Sequence, residues 1–307
     1  MAHLERITRR RLLVAGGGGT VVAAAGIVDL VSHGTLPGKA LLDRLDGACS
    51  VPAAPESFEA AGPTIVGHFF SRARNRTVSY TLAYPRGHGP GSRLPLVIYL
   101  YGDGGSYAST LGGITPARAL AGRARSGSLP PMAIAVADGG SSLYWNPHPG
   151  DDPMRMITDE LIPLCRRHNL GSRPHSTGVL GISMGGYGAL LLAEKHPELV
   201  SAAAAISPAI WTTYDQARDV NADAFANAAA FAANDVIDHA PALARLPLRI
   251  ASGADDPFLP GVHALVRRLP STVELSFPAG CHDDAFFEQQ QLPSLQFLGQ
   301  HIAALPD

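Results

Sequence analysis

Residues 178–185 read Gly-Val-Leu-Gly-Ile-Ser-Met-Gly, and this stretch is the strongest indication of the fold class. It is an apolar run that ends in Gly-x-Ser-x-Gly, and a helix-forming segment, 186–196, follows at once. A strand, a sharp turn and a helix are the context in which this motif presents a serine nucleophile, here Ser183. Glycine at 181 and 185 removes the Cβ atoms that would clash in the turn. The motif therefore predicts a nucleophile at a helix N-terminus, where the helix dipole favours developing negative charge.

Two later segments carry the partners that a serine nucleophile needs. A buried strand over 248–252 is followed by Gly253-Ala-Asp-Asp256, and an alternating strand over 272–277 is followed by Pro278-Ala-Gly-Cys-His282. The order serine, acid, histidine is that of α/β-hydrolases. We expect His282 to act as general base for Ser183, and a carboxylate to fix the His282 tautomer.

Two aspartates compete for the acid position. Asp256 lies three residues after Gly253, which is the usual spacing for the turn after this strand, whereas Asp255 is one position early. The spacing favours Asp256. Asp283 and Asp284 adjoin His282 in sequence and are too close to reach its far nitrogen easily.

The donors for an oxyanion are predicted on two backbone segments. One donor is the N–H of Met184, the residue after the nucleophile. The apolar run 94–101 predicts a central parallel strand, and Gly102-Asp103-Gly104-Gly105 follows it. We assign the second donor to the backbone N–H of Asp103. A plain glycine-rich turn would fit the same residues.

Composition is that of one large globular domain without a nucleic-acid partner. The 307 residues are 46% hydrophobic and carry a net charge of −2. The Gly16–Gly19 run lacks the preceding strand and the spacing of a dinucleotide loop. The cluster of His148, Asp151 and Asp152 lacks zinc spacing. We therefore expect no cofactor and no metal.

Hydrophobic periodicity predicts alternating strands and helices. Such alternation implies a mostly parallel sheet covered by helices on both faces, the α/β class. The predicted strands are 64–70, 77–84, 94–101, 132–137, 177–182, 201–206, 248–252 and 272–277. The predicted helices are 115–125, 153–168, 186–196 and 286–303.

The alanine-rich stretch 207–244 lies between the sixth and seventh strands. We interpret it as a small helical cap over the site; the next crossover helix is an equal alternative. In a cap, Trp211 and either Phe225 or Phe231 would contact the substrate. Aromatic residues that could line an acyl pocket or simply pack the core are Tyr144, Trp145, Trp211 and Phe258.

The N-terminus has the features of an export signal. Arg9-Arg10 precede a weakly hydrophobic, glycine-rich stretch to Val28, the pattern of a twin-arginine (Tat) signal. We predict that the chain consists of a signal segment over 1–25, a Pro-, Ala- and Gly-rich arm over 26–62 and a catalytic domain over 63–307. Cleavage at the Ala23–Ala25 run and retention as a membrane anchor both remain open.

Export would place the three cysteines in an oxidising compartment, where a disulfide can persist. Cys165 lies in an apparent amphipathic helix, and we expect it to be buried and free. The pairing of Cys49 with Cys281 is a guess, because three cysteines allow three bridges.

Taken together, the motifs resemble the esterase D group of α/β-hydrolases. This group includes S-formylglutathione hydrolases, feruloyl esterases and secreted mycolyltransferases. The resemblance covers about residues 63 to 305 and rests on the motifs at 181–190, 253–258 and 280–283. It implies a triad of Ser183, Asp256 and His282, ester or acyl-transfer chemistry and no cofactor. Tyr101 departs from the common histidine, and an aspartate acid departs from the glutamate of mycolyltransferases.

Three functional hypotheses follow. The first is an exported serine esterase, secreted or associated with the cell envelope, that acts on a small-molecule or lipid ester. The second is an acyltransferase, in which an alcohol replaces water as acceptor. The third, from a different class, is a binding protein on a hydrolase fold, and an intact triad argues against it.

Overall fold

A computed structural model describes residues 62–108, 130–140 and 142–302 of the chain. The predicted signal segment, nearly all of the arm and the helix predicted over 115–125 lie outside the described residues. The strands are β1 (Thr64–Ser71), β2 (Arg76–Ala83), β3 (Leu96–Leu100), β4 (Ala133–Ala137), β5 (Thr177–Ile182), β6 (Ala202–Ile206), β7 (Leu248–Ala251) and β8 (Glu274–Ser276).

The helices follow the strands in the alternation that the sequence predicts. They are α1 (Pro153–Met156), a π-helical turn (Ile157–Leu161), α2 (Ile162–Arg167), α3 (Met184–Lys195), α4 (Tyr214–Val220), α5 (Ala228–Ala233), α6 (Ala240–Leu243), α7 (Leu259–Val266) and α8 (Asp284–Ile302). Among the described residues, no helix is both long and apolar enough to cross a membrane.

The eight described strands form one sheet in the order β1-β2-β4-β3-β5-β6-β7-β8. β1 pairs antiparallel with β2, and β2 pairs antiparallel with β4. All pairings from β4 through β8 are parallel. Every residue of β3 to β7 is buried, which is why these strands read as apolar runs. The predicted mostly parallel sheet is confirmed.

Helices α3 and α8 cover opposite faces of β5. A Cβ atom added at Gly178 would contact Leu298 and Ile302 of α8, whereas one added at Gly181 would collide with Gly185 of α3. Residues 178 and 181 point to opposite faces because side chains alternate along a strand. The centre of the sheet, which carries the predicted nucleophile, is therefore enclosed by helices on both sides.

The helix predicted over 153–168 is continuous but contains a π-helical turn in its middle. This turn, Ile157–Leu161, directly precedes the segment that contains Pro163. Proline has no N–H to donate to the carbonyl four residues earlier, here that of Asp159. The missing bond accounts for the local widening, which hydrophobic periodicity does not reveal.

The stretch between β6 and β7 contains the three short helices α4, α5 and α6. It is held against α3 and the loop before α1 by polar side chains. Tyr187 donates to the Asn234 carbonyl over 2.6 Å, and the Asn146 side chain donates to the Ala224 carbonyl over 3.0 Å. This stretch is thus both the crossover between two parallel strands and a helical layer beside the end of β5.

Candidate active site

Ser183 lies in the turn between β5 and α3 with φ 54° and ψ −120°. A positive φ is uncommon for a residue other than glycine and marks local backbone strain. A Cβ at Gly181 would collide with the Gly185 carbonyl, and one at Gly185 would collide with the Leu100 carbonyl. The backbone N–H of Ser183 donates to the Ile206 carbonyl over 2.9 Å. The glycines therefore permit the turn, and the neighbouring strand fixes it.

The structure brings Ser183, His282 and Asp256 into one hydrogen-bonded chain. The Ser183 Oγ lies 2.8 Å from the His282 Nε2, and the His282 Nδ1 lies 3.0 Å from the Asp256 Oδ2. The three residues follow β5, β8 and β7, all at the carboxyl edge of the parallel strands. The two distances lie in the range for a nucleophile, its base and an orienting acid.

Of the two competing aspartates, the structure brings Asp256 to His282. Asp256 is 4% exposed, whereas Asp255 is exposed and its backbone N–H donates to the Gly280 carbonyl over 2.9 Å. The Asp256 Oδ1 also accepts from the Phe258 N–H over 2.8 Å. This bond closes a local turn that holds the carboxylate in one orientation.

The charge of Asp256 is maintained by its neighbours. Burial alone would raise its pKa, but His282, the Phe258 N–H and the Ser207 hydroxyl favour the ionised form. The net result is a pKa below the ordinary value of 3.8. A buried carboxylate that remains ionised can accept a hydrogen bond from a neutral histidine and stabilise an imidazolium.

The two predicted oxyanion donors lie on segments that meet at Ser183. Met184 is the first residue of α3, where a backbone N–H has no acceptor within the helix. A Cβ added at Gly102 would lie 3.2 Å from the Ser183 Cβ, so the turn after β3 runs against the nucleophile. Asp103 is the next residue of this turn, which the Gly105 N–H closes onto the Gly102 carbonyl over 3.0 Å.

Tyr101, which replaces the common histidine before this turn, is a buried structural residue. Its hydroxyl accepts from the Gly139 N–H over 2.7 Å, and burial raises its pKa. The indole of Trp145 donates to the Tyr101 carbonyl over 3.3 Å, and the two rings pack edge to face. Trp145 is fully buried. Trp145 therefore packs the core and does not line an acyl pocket.

Two aromatic side chains pack against His282. Phe258 and Phe287 approach the imidazole, with ring centroids at 4.9 and 5.0 Å. Trp211 packs edge to face on Phe258 at 4.8 Å, and both are partly exposed. The sequence reasoning missed Phe287, because no local pattern distinguishes it from a core residue of α8.

Phe225 has a different environment from Trp211. It is 4% exposed and packs against Tyr144, Tyr187 and Phe231 at 6.0, 5.9 and 5.0 Å between ring centroids. Tyr187 lies on α3, one turn after the nucleophile. These contacts assign Phe225 to the packing that holds the β6–β7 stretch in place.

A buried ion pair that sequence reasoning missed fixes the loop between β4 and α1. The Arg74 guanidinium is bonded to both oxygens of Asp151, at 2.6 and 2.9 Å, and also donates to the Asp138 carbonyl. A two-pronged pair of this kind sets orientation as well as distance. Arg74 thereby anchors the loop that carries Tyr144 and Trp145.

The two cysteines in the described part of the chain have different states. Cys165 is buried and free, as predicted, and burial raises its pKa to about 12. Cys281, next to His282, is disulfide-bonded. Cys49, its predicted partner, lies outside the described residues, so the pairing stays a prediction.

A mostly parallel sheet with a nucleophile turn after its central strand defines the α/β-hydrolase fold. Within this class, the chain belongs to the esterase family described as "Putative esterase", whose model matches residues 71–275. The protein is therefore a carboxylic ester hydrolase. Curated proteins gave no match to the chain.

Solved structures share the fold at low sequence identity. A ferulic acid esterase superposes with a TM-score of 0.64 at 17% identity, with 80% of this chain and 100% of that chain covered. An S-formylglutathione hydrolase from Agrobacterium tumefaciens has a TM-score of 0.61 at 18% identity, with 82% and 100% covered. A fluorophosphonate-binding serine hydrolase from Staphylococcus aureus has a TM-score of 0.58 at 15% identity, with 78% and 99% covered.

Proposed function

We propose that the protein is an exported serine esterase that cleaves carboxylic esters through an acyl-enzyme. Ser183 is the nucleophile, His282 the general acid and base, and Asp256 the residue that orients His282. The backbone N–H groups of Met184 and Asp103 bind the oxyanion. The observation that carries the proposal is the chain of contacts at 2.8 and 3.0 Å from Ser183 through His282 to Asp256.

The geometry supports a two-step reaction. The Ser183 Oγ attacks the ester carbonyl while its proton passes to the His282 Nε2, which forms an imidazolium beside the ionised Asp256. The imidazolium then gives this proton to the leaving alcohol as the C–O bond breaks. Water then attacks the acyl-enzyme while His282 takes its proton, and the imidazolium passes this proton to the Ser183 Oγ as the acyl C–O bond breaks and the acid leaves.

The negative charge that develops on the carbonyl oxygen needs donors fixed before the reaction. The N-terminus of α3 offers the Met184 N–H together with the helix dipole. The turn at Gly102, which lies against Ser183, offers the backbone N–H of Asp103. Both donors belong to the backbone, so they need no side-chain reorganisation when charge appears.

Labelling with a fluorophosphonate probe tests the proposal. We expect covalent labelling of the mature protein at Ser183 and none in Ser183→Ala, whose fold is checked by circular dichroism. Folded wild-type protein that neither labels nor hydrolyses p-nitrophenyl esters would favour the binding-protein hypothesis. A sugar acceptor added during turnover separates the remaining alternatives, because an acylated sugar in place of the free acid indicates an acyltransferase.

Export through the Tat route is the second part of the proposal, and it rests on the sequence of residues 1–25. Tat recognition reads the arginine pair and not the charge alone. Replacing Arg9 and Arg10 by lysine should therefore keep the precursor in the cytoplasm, as fractionation and immunoblotting would reveal. Continued export in a strain without the Tat translocase would contradict this and indicate the general secretory route.

A further inference from the structure

The loop between β8 and α8 carries His282 and is fixed on both sides of this residue. The Gly280 carbonyl accepts from the Asp255 N–H over 2.9 Å, which ties the loop to the turn that contains the candidate acid. The Asp283 Oδ1 accepts from the Phe286 N–H over 2.9 Å at the start of α8. The candidate base and the residue before it lie between these two anchors.

Cys281, the residue before the base, is fully buried and disulfide-bonded. A Cβ atom added at Gly253 would lie 2.9 Å from the Cys281 backbone nitrogen, so the turn that leads to Asp256 runs against this residue. The disulfide therefore restrains the backbone at a point where the loops of the acid and the base are in contact. His282, one residue further on, reaches Ser183 and Asp256 at 2.8 and 3.0 Å.

The partner of Cys281 follows by elimination. The chain has three cysteines, and Cys165 is buried and free. A disulfide within one chain therefore leaves Cys49, which lies outside the described residues and, in sequence, before the first strand of the catalytic domain. The bond thus joins the residue next to the base to a segment from which no site residue has been assigned.

We propose that the Cys49–Cys281 disulfide is a positioning link, which holds the His282 backbone so that the imidazole stays in reach of both Ser183 and Asp256. The inference rests on the proposed function, since the position of His282 matters for rate only if it serves as the base. A displacement of about 1 Å in a catalytic group can lower the rate on the order of a hundredfold. A covalent bond to the neighbouring residue restricts such displacements, and it persists in an oxidising compartment, where export would place it.

Alanine variants separate the disulfide from the side chain at position 281. Cys49→Ala breaks the bond and leaves every residue of the candidate site unchanged, whereas Cys281→Ala breaks the bond and alters the loop as well. The matched control is Cys165→Ala, because Cys165 is also a fully buried cysteine but forms no disulfide. The double variant of Cys49 and Cys281 tests whether both residues act through one bond.

The measurements are made on protein that retains residue 49. They are a non-reducing peptide map by mass spectrometry, steady-state ester hydrolysis, the downfield ¹H NMR resonance of the His282–Asp256 proton, and the thermal midpoint. The peptide map shows which cysteines are joined, and the resonance reports the contact between the histidine and the aspartate without any turnover.

We expect the peptide map of the wild-type protein to join Cys49 to Cys281. Cys49→Ala, Cys281→Ala and the double variant should each lower kcat by the same factor, roughly tenfold, because all three remove the same bond. Their downfield resonance should broaden, since a less restrained His282 exchanges this proton with water more readily. Cys165→Ala should retain the wild-type kcat and resonance.

A peptide map that joins Cys281 to Cys165 or to a second chain would overturn the inference. So would a lower thermal midpoint with unchanged kcat and resonance in Cys49→Ala, because the bond would then only stabilise the fold. A loss of kcat in Cys281→Ala alone would assign the effect to the side chain at position 281 and would also overturn it. If Cys281→Ala fails to fold, Cys49→Ala alone decides.

The peptide map and the resonance distinguish failure of this inference from failure of the proposed function. Wild-type protein that neither hydrolyses esters nor labels at Ser183 would contradict the proposed function, while both measurements would still report the disulfide and the contact between His282 and Asp256. A resonance and a kcat unchanged by loss of the disulfide would overturn the inference even in an active esterase.

Discussion

The carboxyl ends of β5 to β7 and the stretch between β6 and β7 lie side by side but are held in different ways. At the strand ends, backbone groups bond to each other: Ser183 to Ile206 at 2.9 Å, and Ala209 to Ser183 at 3.0 Å. In the β6–β7 stretch, side chains provide the attachment, through aromatic packing around Phe225 and the bond from Tyr187 to Asn234.

The difference indicates what each region can contribute to function. Backbone hydrogen bonds between neighbouring strands fix the positions of the reacting atoms, and the rate of catalysis falls steeply when a catalytic group is displaced. Aromatic packing sets the shape and stability of the β6–β7 stretch, but it does not position the reacting atoms at the strand ends. Substitutions at the strand ends should therefore lower the rate of ester hydrolysis. Substitutions in the β6–β7 stretch should instead change the stability of the protein and its selectivity among esters.

The largest effect is expected at the nucleophile. Ser183→Ala should lower kcat by several orders of magnitude, on the order of a million-fold in comparable triads, because the acyl-enzyme cannot form. The thermal midpoint should change little, since the change is small and lies in a turn. Steady-state hydrolysis and thermal denaturation check both. If the variant retained a tenth of the wild-type activity, Ser183 would not be the nucleophile.

The second effect compares the two adjacent aspartates. Asp256→Asn should lower kcat by roughly ten-thousand-fold, because the amide favours the wrong His282 tautomer. Asp255→Asn is the matched control and should remain near wild type, since Asp255 is exposed and bonds to Gly280 through its backbone. The reverse ranking in ester hydrolysis would transfer the acid role to Asp255.

Much of the strand-end region could be predicted from the sequence, because its signals are local. Buried parallel strands read as apolar runs, so β5 was predicted with the bounds that the structure has. Gly-x-Ser-x-Gly and the turn after Gly253 are patterns a few residues long. The position of Ser183, Asp256 and His282 at one edge then follows from the parallel order of the strands.

The surroundings of the site depend on contacts that no local pattern encodes. The φ of Ser207 is set by its place between two strands, and the contact of Phe287 with His282 by the packing of α8. Phe225 and Trp211 look alike in the sequence, since both are aromatic residues in an alanine-rich stretch. Only the fold distinguishes them, because Phe225 packs on Tyr187 and Trp211 packs on Phe258.

The third effect tests Phe225 as an anchor of the β6–β7 stretch. Phe225→Ala should destabilise the protein by about 3–5 kcal/mol, the range for truncation of a buried phenylalanine. Denaturant unfolding measures this free energy. Hydrolysis of short and long esters by the protein that remains folded should fall by the same factor, because the ring is buried away from solvent. A loss confined to long esters, with unchanged stability, would place Phe225 in the acyl pocket instead.

The smallest effect is expected at Trp211, which joins the two regions through Phe258 and His282. Its ring is partly exposed and packs on Phe258, which in turn contacts the imidazole, so we expect a long acyl chain to reach it and acetate to fall short. Trp211→Ala should remove a contact worth roughly 1.5–3 kcal/mol if the ring is fully buried by substrate. A chain-length series of p-nitrophenyl esters measures the loss of kcat/KM, which should grow with chain length and spare acetate. An equal loss for acetate and for long esters would show that Trp211 supports His282 and does not contact the acyl group.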